Sequence, residues 1–147
     1  MSLSKNSKGG GGGGVPEEKA VVREVGGAMA PIWSSFVEPG KTHAILYVVD
    51  ASSPETIAAA TIHLVELLAH PSLDGISVMI VFSKADLRCA RQLHEMKNLM
   101  RLEQIIGGGR HDIQEVTFDI SKRDTTAQIF DWCMKFQSVQ EGPSSTL

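Results

Sequence analysis

The chain has little of several things, and each shortage removes a class of answer. Two cysteines in 147 residues, Cys89 and Cys133, cannot make a disulfide framework, and both read as reduced thiols of a cytoplasmic protein. No run approaches the ~18 apolar residues of a membrane span, and no secretory leader is recognisable. Ser2 stands where myristoylation needs glycine, and the Pro-Ser-Ser-Thr-Leu end holds no prenylation cysteine, so no lipid anchor is expected. A net charge of −3 gives no basic surplus for nucleic acid or an anionic membrane. The five histidines, at 43, 63, 70, 94 and 111, show no ligand spacing, which argues against zinc.

An apolar content of 42% is enough for the core of one domain. Residues 1–19 are a Ser/Lys leader and the run Gly9 to Gly14, which has no side chains to bury and loses much backbone entropy on ordering. They are expected to be a disordered tail, with a folded domain over 20–140 and a flexible end over 141–147. From Ala20 onward strands and helices alternate. Strands are expected at Ala20 to Val25, His43 to Val49, Ile76 to Phe82 and Glu115 to Ile120. Helices are expected at Pro54 to Ala69 with Ser53 as N-cap, Arg91 to Leu102 and Thr126 to Val139. Ile57, Ala60, Leu64, Leu67 and Leu68 recur at three and four residues and give one buried stripe. Leu93, Met96, Leu99 and Met100 do the same on the second helix, and Ile129, Trp132, Cys133 and Phe136 on the third. Pro31 and Pro39 are expected to keep Gly26 to Gly40 from long regular structure. Such alternation argues for a parallel α/β sheet with right-handed crossovers.

The most informative join is Ser83-Lys84-Ala85-Asp86, directly after the apolar run from Ile76 to Phe82. An ionised carboxylate accepts only, so Asp86 can take two parallel hydrogen bonds from the N1–H and exocyclic amine of guanine. Adenine offers no such pair on that edge. A lysine stem can lie along a base while its ammonium stays wet.

Other segments join it in order: Arg23 to Trp33 around Gly26-Gly27, the strand from His43 ending in Val49-Asp50-Ala51-Ser52, and Val116 to Arg123 around Ser121-Lys122-Arg123. Together they resemble the switch region, two strands and guanine loops of ADP-ribosylation factor-like small GTPases. The resemblance runs from about Val21 to Phe136 and implies a Ras-like P-loop NTPase fold, three-layered with a mostly parallel sheet. It implies guanine-nucleotide binding, GTP or GDP with magnesium, and a protein effector or regulator at the switch region.

By resemblance, Ser83, Lys84, Asp86, Ser121, Lys122 and Arg123 meet the base. Gly27 either meets a phosphate or serves as a turn glycine. Glu24 takes the position of an Asp that holds magnesium through water. Ala28 replaces the water-positioning Gln and cannot orient water, which implies weak intrinsic hydrolysis. No catalytic residue is assigned. Met29, Ile32, Trp33 and Phe36 are an apolar group suited to docking a protein, with Trp33 also read as a packing anchor.

The family's Gly-x-x-x-x-Gly-Lys-Ser/Thr phosphate loop has no counterpart in these residues. Gly40-Lys41-Thr42 imitates its end, but Ser35 stands where its first glycine belongs, so a surface turn is expected there. The domain is therefore read as truncated at its N-terminus, with a missing central strand between those at Ala20 and His43. Those two strands would either pair with each other or leave a marginal fold. Two functions follow: a guanine-nucleotide-binding regulatory protein, or a non-catalytic interaction module working through the switch surface.

Overall fold

The computed structural model describes residues 2–4 and 19–136. The glycine run, the end expected for the last helix and the C-terminal tail lie outside the described residues. Apolar β-rich runs form a three-stranded parallel sheet: β3 (Ala44–Asp50), β4 (Ser77–Ser83) and β5 (Ile113–Thr117), in that spatial order. Two further short strands, β1 (Ser2–Ser4) and β2 (Lys19–Val21), pair antiparallel as a separate ribbon.

Strand β4 is central, and Val78, Met79, Ile80, Val81 and Phe82 are all buried. A strand buried on both faces reads as a continuous apolar run rather than an alternating one. Helices cover both faces. On one, α1 (Ile57–Ala69), α2 (Ala90–Leu99) and α3 (Leu102–Gly107) pack Ile57, Leu64, Leu67, Leu68, Met96, Met100 and Leu102 onto Tyr47, Val49, Val78, Ile80 and Phe82. On the other, α4 (Arg123–Met134) sets Trp132 and Cys133 against Met79, Val81 and Val116. The α/β three-layer expectation holds, with odd and even strand positions feeding opposite cores.

Several local expectations change. Of the strand expected over Ala20 to Val25 only Ala20 and Val21 lie in a strand, β2, which starts at Lys19 and pairs with Ser2–Ser4, expected to be part of a disordered tail. It does not close onto β3, whose outer edge has no strand partner among the described residues. Gly27–Phe36 winds into a ten-residue 3₁₀ helix despite Pro31. Ser53 makes no side-chain cap; Pro54–Thr56 forms a 3₁₀ turn instead, fastened by the Thr56 hydroxyl donating to the Ser53 carbonyl at 2.8 Å. Leu99 is 72% exposed, because α2 ends there and Met100 turns inward in its place. The last strand runs earlier, ending at Thr117, and α4 begins at Arg123, where Thr125 Oγ1 donates to the Lys122 carbonyl at 2.9 Å.

The Gly40-Lys41-Thr42 segment is a surface turn. Gly40 takes φ +77°, Lys41 pairs with Glu38 at 2.8 Å, and Thr42 Oγ1 accepts the Glu38 N–H at 3.0 Å.

Candidate functional site

In an open parallel sheet the carboxyl ends of the strands converge on one rim, and ligands are met there. Here that rim is built from three loops following β3, β4 and β5. The outer two share one device. Asp50, closing β3, accepts the Ser52 N–H at 2.9 Å and the Ser52 hydroxyl at 2.6 Å on Oδ1. Asp119, just past β5, accepts the Ser121 N–H at 2.9 Å and the Ser121 hydroxyl at 2.5 Å on its own Oδ1. An Asp that bonds two residues ahead mimics a backbone turn, so Asp-x-Ser ends each strand at the same rim.

The loop after β4 lies between them. Ser83 Oγ donates to the Val49 carbonyl at 3.1 Å, and the Ala51 N–H donates to the Ser83 carbonyl at 2.9 Å, which ties this loop to β3. The Ala85 N–H donates to the Phe118 carbonyl at 3.3 Å and ties it to the β5 side. Lys84 sits in the left-handed region, φ 54° and ψ 32°, and its ammonium meets Asp50 Oδ2 at 2.6 Å. That lysine, followed by the Ser52 hydroxyl and N–H, draws the Asp50 carboxyl down to about 2. The Ser121 hydroxyl and N–H, and then Lys122 at 3.4 Å, hold Asp119 below the usual carboxylate range.

Asp86 opens differently. It lies on the 3₁₀ turn Ala85–Leu87, exposed, and its carboxylate has no hydrogen bond or ion pair among the described residues. Ser83, Lys84, Asp86, Ser121 and Lys122 therefore share one rim, held by paired neighbours around one unpaired acceptor. Arg123 opens α4 beside it and also lines a shallow concavity with Thr126, Ala127, Phe130 and Asp131 on that helix.

The switch-like segment forms a second area. Trp33 is partly buried, edge-on to Tyr47 at 5.8 Å and to His63 at 5.9 Å, and its Nε1–H donates to the Gly26 carbonyl at 3.0 Å. Phe36 is partly buried, with the Arg23 guanidinium 5.0 Å over its ring. Met29 and Ile32 are 41% and 49% exposed. The four therefore divide into two packed residues and two open ones.

Gly27 is not among the glycines with positive φ, and a Cβ added there would meet nothing within 4 Å. The turn-glycine alternative thus has no conformational basis here. Glu24 is exposed, and among the described residues it has no ion pair and no three His, Cys, Asp or Glu side chains gather as a metal site.

Sequence reasoning missed Asp50, Ser52, Arg88 and Asp119. The signal was present, since an Asp two residues before a Ser, at the end of an apolar run, occurs at both Asp50-Ala51-Ser52 and Asp119-Ile120-Ser121.

The ADP-ribosylation factor family model matches residues 18–136. The chain is 40% identical over 120 residues to ADP-ribosylation factor-like protein 16 of Homo sapiens, covering 80% of this chain and 59% of that protein. It is 31% identical over 94 residues to ADP-ribosylation factor-like protein 8b of Arabidopsis thaliana, covering 63% of this chain and 48% of that one. The chain thus spans between 48% and 59% of the length of these curated relatives.

Proposed function

The chain belongs to the ADP-ribosylation factor family, and from that premise we propose that its strand-end rim recognises guanine, making it a guanine-nucleotide-binding regulatory protein. One observation carries the reading: Asp86 is an exposed carboxylate with no hydrogen bond or ion pair among the described residues, on a loop otherwise tied on both sides by hydrogen bonds. An acceptor held rigid and left vacant is prepared for a ligand with two adjacent donors, and the N1–H and amine of guanine supply that pair. Lys84 provides the apolar stem for the base face. In the Ser121-Lys122-Arg123 loop the Ser121 and Lys122 N–H groups are bonded to Asp119, at 2.9 and 3.0 Å, so the Arg123 N–H is the donor offered to the carbonyl side of the base.

Gly27 fits the same reading. A glycine with open space around it and no positive φ allows a phosphate to come close to its N–H. Members of the family bind GTP or GDP with magnesium, and the residues named here contribute to the base side and, through Gly27, to one phosphate contact. Ala28 has no group to position water, so hydrolysis would need a partner to supply one.

Titrating guanosine 5′-monophosphate into the isotopically labelled chain tests this. Saturable shifts confined to the loops at 83–88 and 119–123 are expected, with none from adenosine 5′-monophosphate. Equal shifts from both nucleotides would overturn it.

The second reading, an interaction module, is favoured by the exposure of Met29 and Ile32 on a 3₁₀ helix that buries none of its residues. Two apolar side chains offered on a fixed helix suit a protein effector or regulator. Trp33 then acts from beneath, holding the helix, rather than at the contact itself.

A further inference from the structure

Asp50 closes a strand that the family resemblance includes but gives no part in base recognition, yet three hydrogen bonds converge on its carboxylate. Its Oδ1 is occupied by the Ser52 N–H and hydroxyl at 2.9 and 2.6 Å, which fixes the plane of the carboxylate and leaves Oδ2 pointing to one partner. That partner is the Lys84 ammonium, at 2.6 Å. Lys84 holds its place against backbone strain, since a φ of 54° lies in the left-handed region that a non-glycine residue enters only at a cost. Strain of this kind persists where surrounding contacts over-determine it. Arg88, four residues on, reaches back the same way: its Nε donates to the Ala51 carbonyl at 3.0 Å and its Nη2 to the Ser52 carbonyl. The Asp50–Ser52 loop is thus gripped by both ends of the Ser83–Arg88 loop.

We propose that Asp50 is a positioning residue for guanine recognition, clamping Lys84 so that its stem forms a fixed wall for the base while Asp86 stays free to accept. The inference rests on the reading that the loop from Ser83 to Asp86 meets guanine. An ordinary exposed ion pair adds little stability and would serve no ligand. This one differs in geometry: the carboxylate is held by its own turn, and the cation belongs to a strained residue two positions before the vacant acceptor. Removing Asp50 frees the ammonium, and the nearest carboxylate along its own loop is Asp86. The same change would loosen the wall and occupy the acceptor, so its effect falls on the base.

The test uses the whole chain and two readouts. In the ligand-free protein the Lys84 ammonium should give a slowly exchanging nitrogen-bound proton signal, absent in Asp50→Asn. A Lys84 signal with the exchange rate of an exposed lysine would overturn the clamp. Affinity for guanosine 5′-monophosphate should fall about tenfold in Asp50→Asn and return to within about threefold of the parent in Asp50→Glu, with thermal midpoints recorded for each. Unchanged affinity in Asp50→Asn overturns the proposal, as does a loss that Asp50→Glu fails to rescue or that tracks the unfolded fraction. A parent chain that binds no guanosine 5′-monophosphate would overturn the guanine reading, while the ammonium signal would still decide whether Asp50 holds Lys84.

Discussion

Replacing Trp33 separates a packing role from a docking role. Its ring makes two edge-on contacts, with Tyr47 at 5.8 Å and His63 at 5.9 Å, and joins the core that β3 and α1 share. Aromatic pairs contribute about 0.5–1.5 kcal/mol each beyond area. A fully buried Trp→Ala change costs about 3–5 kcal/mol, and Trp33 is only partly buried. Its Nε1–H bond to the Gly26 carbonyl, 3.0 Å long and at the surface, adds about 0.5–1 kcal/mol. Trp33→Ala should therefore cost about 2–4 kcal/mol. Trp33→Phe, which keeps much of the ring contact and loses the donor, should cost about 1 kcal/mol. Urea unfolding followed by circular dichroism at 222 nm measures both without relying on tryptophan emission, which Trp132 would confuse. A loss below about 0.5 kcal/mol for Trp33→Ala would refute the anchor. Trp33 would then belong with Met29 and Ile32 as open surface.

The chain has a single tyrosine, so its alkaline absorbance reports one group. Burial pushes the Tyr47 phenol up to about 12, while its hydroxyl donates to the Ala60 carbonyl at 2.8 Å. An unfolded tyrosine loses its proton near ~10. Stability should fall from about pH 10 toward 12, and ionisation in the folded chain near pH 10 would contradict the burial. Exposed Cys89 should react with a thiol reagent at neutral pH well before Cys133, whose thiol burial raises; equal rates would show α4 detached from the sheet. Calorimetry with GTP should give a dissociation constant above ~10 µM with little response to magnesium, since the proposed contacts are mainly to the base, at about 1.5–3 kcal/mol per charge-assisted bond, and no three metal-ligating side chains gather among the described residues. Sub-micromolar, magnesium-dependent binding would show that phosphate and metal contacts dominate over the base.

Strand and helix identities were legible because burial leaves strong periodic marks. The run from Val78 to Phe82 could only be a strand buried on both faces, and Ile57, Leu64, Leu67 and Leu68 all face the core as spaced. What was not legible depended on partners distant in sequence. Nothing in Lys19–Val21 announces Ser2–Ser4 as its mate, because three residues carry no register information. The 3₁₀ helix from Gly27 to Phe36 was hidden by Pro31 and by the absence of an α-helical stripe; it is held instead by Trp33 reaching back to Gly26. At the site, Asp86 stood out because its chemistry is local to four residues. Asp50 did not, since its meaning comes from Lys84, 34 residues away.

The central claim, that this rim reads guanine through Asp86, is tested most directly by changing that carboxylate to an amide. Asp86→Asn turns one acceptor into a donor, so the match to the guanine N1–H and amine is broken and the match to xanthine, with N1–H beside a carbonyl, is improved. At about 1.5–3 kcal/mol for a charge-assisted bond, the preference between guanosine and xanthosine 5′-monophosphates should swing by at least about tenfold. Titrating both nucleotides into the parent and the variant gives the answer. The account predicts guanine preferred by the parent and xanthine by Asp86→Asn; the same preference in both proteins would contradict it.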